Sequence, residues 1–292
     1  MVAPPQAGTR FDLPIASTGR PLAAGTGPLA PLLTVWHHRT LIGRLARRDI
    51  EARHRGSALG LLWSVLNPLI MMAAYTFMFT MIFRARWGSG GGGTAEFAVL
   101  MFSGMVLFTI FAECANRAPG LMLENLSYIK KVVFPLEIMP VVVLLSALFN
   151  AAIGFVILAV FSLVVMGPPP LTVLLLPLVL LPLCLFTLGL AWVLSAAGVF
   201  LRDLRQVVTV LVTVMMFLSP IFYPVSAVPA EVQAVILANP LAILLERSKD
   251  VMFWGHGLPP VEWTLVCLGS LVWAWLGHTF FVKTRRGFAD VV

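Results

Sequence analysis

Charge is what this chain has least of. Only 11% of its 292 residues are Asp, Glu, Lys or Arg, against about 25% in an average soluble domain. With 59% hydrophobic residues and a mean hydropathy of +0.94, a soluble enzyme, a disordered chain and a disulfide scaffold are excluded, and an integral membrane protein remains. Cysteine is scarce too. Cys114, Cys184 and Cys267 lie in or beside apolar stretches, too far apart for metal-ligand spacing, and read as small buried hydrophobes with no disulfide. No Gly-x-x-x-x-Gly-Lys-Ser/Thr segment occurs, so ATP binding and hydrolysis by that route is excluded. The histidines, His37, His38, His54, His256 and His278, have no second ligand at helical spacing. His278, near the inner end of the last apolar run, reads as an interfacial hydrogen-bonder. Ionisable residues within the apolar runs are nearly absent; Glu113 and Arg117, four apart near an inner boundary, come closest. Proton-coupled carriers use buried ionisable groups, so a transporter of this composition draws its energy from a partner.

Long charge-free runs are what the sequence has in place of these. Gly56–Phe83 is 28 residues and Phe97–Ala112 extends past Glu113 to about Ala118. Ile138–Leu201 is 64 residues, cut by Gly167-Pro168-Pro169-Pro170 into spans near 138–166 and 171–198, because three successive prolines remove backbone donors. Gln206–Ala230 and Trp263–Val282 complete the set. At about 20 residues per helical span, the expectation is an all-α polytopic fold of six spans. Val232–Leu245 is apolar but only 14 residues long. With Pro220, Pro224, Pro229 and Pro240 around it, this region reads as broken or re-entrant helices, which need protein or a watery path beside them.

Net charge is +7, which in a soluble protein would suggest nucleic acid. Position explains it better. With the N-terminus inside, 16 of the 20 Lys and Arg fall on the cytoplasmic side, and Arg84, Arg86, Arg247 and Lys249 stay outside. Both termini are therefore expected in the cytoplasm. Residues 1–31 hold six Pro and four Gly and no apolar h-region; they read as a flexible cytoplasmic tail rather than a signal peptide. Residues 287–292 form a short cytoplasmic tail at the other end. Gly88–Gly93 reads as a flexible outer turn.

Three stretches carry candidate functional residues. Over 32–55, Leu41, Ile42, Leu45, Ala46 and Ile50 share one half of a helical wheel and Arg44, Arg47, Arg48, Glu51 and Arg55 the other. This is a basic amphipathic helix suited to the inner headgroup layer, either a simple topogenic anchor or one wall of a lateral entrance for lipid-linked cargo. Asp49 falls in its apolar sector, with Arg53 as the natural i+4 partner. The loop Leu121–Pro135 has room for a short helix and presents Glu124, Asn125, Tyr128, Lys130 and Lys131 to the cytoplasm, as an interaction knob or a solvated loop. Aromatics gather at Tyr75 and Phe79, and again at Phe217, Phe222 and Tyr223. Such groups either pack against lipid or line a path along which the C–H faces of sugar rings slide.

Arg48-Asp-Ile-Glu-Ala-Arg-His-Arg-Gly-Ser57 followed by Leu59-Gly-Leu-Leu-Trp-Ser-Val-Leu-Asn-Pro68, then Asn125-Leu-Ser-Tyr-Ile-Lys-Lys-Val-Val-Phe-Pro135, Phe200-Leu-Arg-Asp-Leu-Arg-Gln206, Leu218-Ser-Pro-Ile-Phe-Tyr-Pro224 and Asn239-Pro-Leu241 together resemble the ABC-2 type permeases, specifically those of O-antigen, capsule or teichoic acid export. The blocks run in family order from about residue 36 to 286. The resemblance implies a permease without catalytic residues, metal or cofactor of its own. It would sit in a bacterial inner membrane as a homodimer, with two copies of a separate cytoplasmic ATPase that binds the ATP. It also implies a coupling helix in the 121–131 loop, an interfacial helix including Arg47, Arg48, Asp49, Arg53 and Arg55, short outer gate helices after the fifth span, and a lipid-linked glycan as cargo. No role for nucleic acid follows. A small lipid or drug as cargo is the alternative within the same fold, and a membrane-embedded transferase is the alternative class.

The topology is open to direct test. In a variant lacking the native cysteines, a cysteine at position 90 should react with a membrane-impermeant maleimide from outside, and one at position 130 should not. The reverse pattern would overturn the orientation.

Overall fold

The computed structural model describes residues 27–54, 62–82, 93–126 and 134–288. Most of the N-terminal tail, Arg55, Arg84, Arg86, the glycine turn up to residue 92, Tyr128, Lys130, Lys131 and residues 289–292 lie outside the described residues. Every regular element among the described residues is helical. In chain order these are α1 (Ala30–His37), α2 (Arg39–His54), α3 (Leu62–Thr76, prolonged by a widened turn Phe77–Ile82), α4 (Thr94–Arg117), α5 (Met139–Val165), α6 (Leu176–Phe200), α7 (Leu204–Leu218), α8 (Ala230–Leu237), α9 (Pro240–Lys249, continued by a widened turn Asp250–Trp254) and α10 (Pro260–Thr284).

Five helical stretches among these are long and apolar enough to cross a membrane: Leu62–Ile82, Thr94–Gly120, Leu136–Val165, Leu171–Phe200 and Pro260–Gly287. Their ends follow local chemistry. Pro140, Pro177 and Pro260 sit in the first turns of α5, α6 and α10, where a missing N–H costs nothing. After α5, Gly167 takes φ +85°, a left-handed turn that a side chain would disfavour. Pro168–Pro170 then keep the chain from resuming the same helix.

The expected fifth span, Gln206–Ala230, does not form as one helix. α7 is 15 residues long, about 22 Å at 1.5 Å per residue, short of a hydrocarbon core of about 30 Å. Pro220 ends it: the residue before a proline is pushed out of the helical region, and Ser219 is extended at φ −92°, ψ 145°. Two short helices, α8 and α9, follow in the proline-rich region. Asn239 caps α9 by accepting from the Leu241 N–H at 3.0 Å, and its side-chain amide donates to Ser219 Oγ at 3.1 Å. The Asn-Pro-Leu block thus starts one helix and fastens it to the end of another.

The amphipathic segment also differs from the single helix expected over 32–55. It bends at His38 into α1 and α2. Ile42, Leu45 and Ala46 of its apolar stripe are buried in the protein core, where α2 lies along α5. The protein, rather than the headgroup layer, covers that face. The apolar residues left exposed are Leu29, Leu32, Leu33 and Trp36, in and just before α1.

α4 is the centre of the bundle. Of its apolar window 78% is buried, against 6% for α3, and it touches α3, α5, α6, α7 and α9. The most extensive helix pairing is α6 with α10. It depends on two glycines, because a Cβ on Gly277 would lie 2.2 Å from the Gly189 carbonyl oxygen, and one on Gly189 would lie 2.5 Å from the Trp273 ring. Small residues at such crossings allow the backbones to approach closely enough for dispersion to hold them. Replacing Gly277 by Ala should therefore cost about 1–3 kcal/mol of overpacking. The control is on the same helix, since Gly269 has nothing within 4 Å of its added Cβ. Thermal unfolding of the detergent-solubilised chain should show a lowered midpoint for Gly277→Ala and an unchanged one for Gly269→Ala.

Candidate functional site

The C-terminal end of α4 carries Glu113 and Arg117, and α2 brings Asp49 and Arg53 against them. Arg117 donates to both Asp49 oxygens, Nη2 to Oδ1 at 2.8 Å and Nη1 to Oδ2 at 3.0 Å. Arg53 donates through Nη2 to Glu113 Oε1. Its Nε lies 3.8 Å from Asp49, so the expected Asp49–Arg53 pair exists but is the weaker contact. Asn150 of α5 donates to the other Glu113 oxygen at 3.1 Å. Two guanidiniums and two carboxylates cancel, and an amide from a third helix completes the set. Burial pushes the Asp49 carboxyl up, but the Arg117 hydrogen bonds outweigh it, with the charges of Arg117 and Arg53, and hold the group below the usual carboxylate range. A group depressed in the folded state contributes its stability above its ordinary pKa and loses it as pH falls through the folded value. The α2–α4 tie is therefore complete at neutral pH.

Other residues of the amphipathic segment are less engaged. Arg47 pairs with Glu51 at 2.8 Å while 83% exposed, a surface contact worth about 0–1 kcal/mol. Arg48 borders a second cavity of about 270 Å³ with Asp49, Arg117, Glu124 and Asn125.

Beyond α4 the chain turns through Ala118–Gly120 and Leu123–Asn125. Glu124 meets Arg205 at 3.3 Å, and Asn125 donates back to the Leu121 carbonyl at 2.9 Å. Pro119 presses on α6, where a Cβ on Gly198 would lie 2.0 Å from its carbonyl oxygen. Of the five loop residues singled out in the sequence, Glu124 thus meets the short α6–α7 corner, while Asn125 closes its own turn. Tyr128, Lys130 and Lys131 are outside the described residues.

The two aromatic groups form one. Phe222 stacks on Phe79 with centroids 4.7 Å apart and planes 8° apart, and meets Tyr75 at 5.3 Å and Phe217 at 5.8 Å. Phe222 itself is 2% exposed, a hub under the others. Phe217 is exposed, while Tyr75, Phe79 and Tyr223 are half-buried. The Tyr223 hydroxyl donates to the Phe217 carbonyl at 3.0 Å. The cluster joins the far end of α3 to the break after α7.

Beside it, α9 is sunk among α4 and α6. Lys249 is almost fully buried, donates to the Pro220 carbonyl at 2.5 Å and meets Glu246 at 3.2 Å. Arg247 holds Glu262 at 2.7 Å and Asp250 at 3.0 Å. Two of the four cations assigned to the outer side on sequence grounds, Arg247 and Lys249, thereby clamp α9 to its neighbours. His278 is corrected: it is fully buried, its ring nitrogens have no hydrogen-bond partner among the described residues, and it sits edge-on to Trp192 with centroids 5.0 Å apart. The tight α6–α10 crossing shuts it away from the interface.

Among the described residues no group of His, Cys, Asp or Glu is placed to hold a metal. What the arrangement offers is mechanical: a charge-tied helix at one end of α4, an aromatic cluster and a clamped short helix at the other. Known proteins resemble the chain in sequence. The chain is 30% identical over 262 residues to the O-antigen export system permease protein RfbA of Myxococcus xanthus, covering 88% of this chain and 97% of that protein. It is 26% identical to the O-antigen export system permease protein RfbA of Klebsiella pneumoniae, over 85% of this chain and 93% of the relative. With the polysialic acid transport protein KpsM of Escherichia coli it shares 22% identity over 85% and 94%. Residues 40–253 match the ABC-2 type transporter family, and the chain belongs to that family, whose members are transport subunits rather than enzymes.

Proposed function

We propose that this chain is the permease subunit of an exporter that carries a lipid-linked, O-antigen-like polysaccharide across a bacterial inner membrane, powered by a separate ATPase. The observation that carries the reading is near end-to-end similarity to O-antigen export permeases, and the partly buried charges at one end of α4 agree with it. Asp49, Arg53, Glu113 and Arg117 neutralise one another. An ion-coupled carrier needs an ionisable group free to change charge during transport, whereas a permease driven from outside needs a rigid lever.

In this reading two copies of the chain face each other, each with six spans and both termini in the cytoplasm. α7 with the extended residues after it serves as the fifth crossing, completed by the partner copy. Residues 121–131 transmit the ATPase stroke, and Glu124 through Arg205 and Pro119 against Gly198 pass it into α6 and α7. α1, with Leu32, Leu33 and Trp36 exposed, serves as the interfacial helix, and α2 ties it to the bundle. The exposed α8 and the sunken α9 act as an outer gate, with Tyr75, Phe79, Phe217, Phe222 and Tyr223 beside it as the sugar-facing end of the path.

Coupling is tested by reversing charge at Lys130 and Lys131 with Tyr128→Ala. Export and ATPase association should both fall while membrane insertion is kept; an unchanged triple variant removes the loop from this role. The cargo is tested at the aromatics. One alanine should cost little, on the order of 1 kcal/mol, because a sliding polymer makes many weak contacts. Alanine at Tyr75, Phe79, Phe217 and Tyr223 together should leave polymer at the inner face, measured by glycan analysis of inner-membrane and surface fractions with expression and dimerisation checked. Normal surface glycan from that variant would refute the aromatic path. Normal surface glycan after deletion of the gene, with no paralogue present, would refute glycan export and favour a small lipid or drug.

A further inference from the structure

Between α3, α4 and α5 lies a partly open cavity of about 420 Å³, with Arg53 of α2 at its inner end. Its lining is graded. Toward the inner end it presents Arg53, Asn67, Glu113 and Asn150; farther along α4 it presents Phe102 and Val106, with Met71 of α3 opposite. Glu113 and Phe102 are separated by about 16 Å along the helix.

We infer that this cavity is a binding site for one phospholipid of the inner leaflet with a zwitterionic, primary-ammonium headgroup, that is, a phosphatidylethanolamine. Neither water alone nor an acyl chain alone suits it. Water would leave the apolar half wetted, and close-packed interiors do not hold large apolar voids. A bare acyl chain would leave the Asn67 amide, which is exposed in the cavity and has no hydrogen bond to another described residue, without a partner at membrane depth, where an unmet polar group costs several kcal/mol. An amphiphile satisfies both halves.

The charges choose the headgroup. Two guanidiniums and two carboxylates already balance, so a ligand that is neutral overall preserves that balance. Donors and an acceptor stand side by side at the inner end. Arg53 has N–H groups beyond those it gives to Asp49 and Glu113, and Asn67 adds an amide; these suit a phosphate. The Glu113 carboxylate suits an ammonium that can donate hydrogen bonds. A quaternary ammonium has no N–H to give, so phosphatidylcholine fits less well. The position supplies a role. α3 is the least buried span, and the cavity is the gap between it and the α4–α5 pair; a resident lipid fills that gap. This inference stands whatever the cargo is.

The test uses the full chain in vesicles of phosphatidylcholine and phosphatidylethanolamine containing a trace of phosphatidylethanolamine with a diazirine in one acyl chain. After irradiation and digestion, label should concentrate on peptides containing Met71, Phe102–Thr109 and Asn150–Gly154. Thr109 lines the cavity outside the charge network, so Thr109→Phe should fill the site, and Asn67→Leu should remove a headgroup contact. Asn67→Leu should lower cavity labelling about tenfold, the scale of one lost charge-assisted hydrogen bond, and Thr109→Phe should lower it at least as far by occupying the space. Leu265→Phe, on an exposed face of α10, should leave it unchanged. Label spread evenly over exposed helices, or undiminished in both cavity variants, would overturn the proposal. So would displacement of the label by a polyprenyl diphosphate but not by excess phosphatidylethanolamine; the cavity would then belong to the lipid carrier of the cargo.

Discussion

A guanidinium or a carboxylate cannot stand alone beside a hydrocarbon phase without a desolvation cost of several kcal/mol. The C-terminal end of α4 brings one of each, and that requirement organises the structure around it. Arg117 is satisfied only because Asp49 reaches it from α2, and Glu113 only because Arg53 and Asn150 do. Three helices far apart in the chain are thereby set in one register. Once α2 is tied down, its apolar stripe is committed to α5, and only α1 is left with exposed apolar residues at its start. The cavity beside α3 exists because this network holds α2, α4 and α5 together while α3 is left at the margin.

At the other end of α4 the constraint is the backbone. Pro220 stops α7 before it is long enough to cross a bilayer, and the chain that follows must find partners for its exposed carbonyls. Lys249 reaches the Pro220 carbonyl from α9 and Asn239 reaches Ser219. These two bonds hold α9 against the break after α7. Such a joint has few contacts to break, which suits the gate role proposed for these helices.

Buried glycines join the two ends. Gly189 against Gly277, and Gly198 against Pro119, bring α6, α10 and the turn after α4 within backbone contact. Packed elements shift between discrete arrangements rather than bending continuously. A push at the 118–125 turn would therefore travel along α6 toward α9 as a rigid displacement.

Much of this was legible in the residues. Scarce charge, apolar runs and their proline breaks determined a helical membrane protein, the limits of α5 and α6, and the irregular region after residue 218. These are local properties, set by the cost of charge in lipid and by missing backbone donors. Ordered motif blocks carried the family. The pairing was not legible. Asp49 has Arg53 one turn away, and nothing in the sequence says that Arg117, 68 residues on, takes both its oxygens instead. Nor does it say that two aromatic groups about 140 residues apart converge on Phe222, or that His278 is sealed against Trp192. Such choices belong to tertiary structure, because a charge or a ring accepts any complementary partner brought within reach, and only the packing of the helices decides which one arrives.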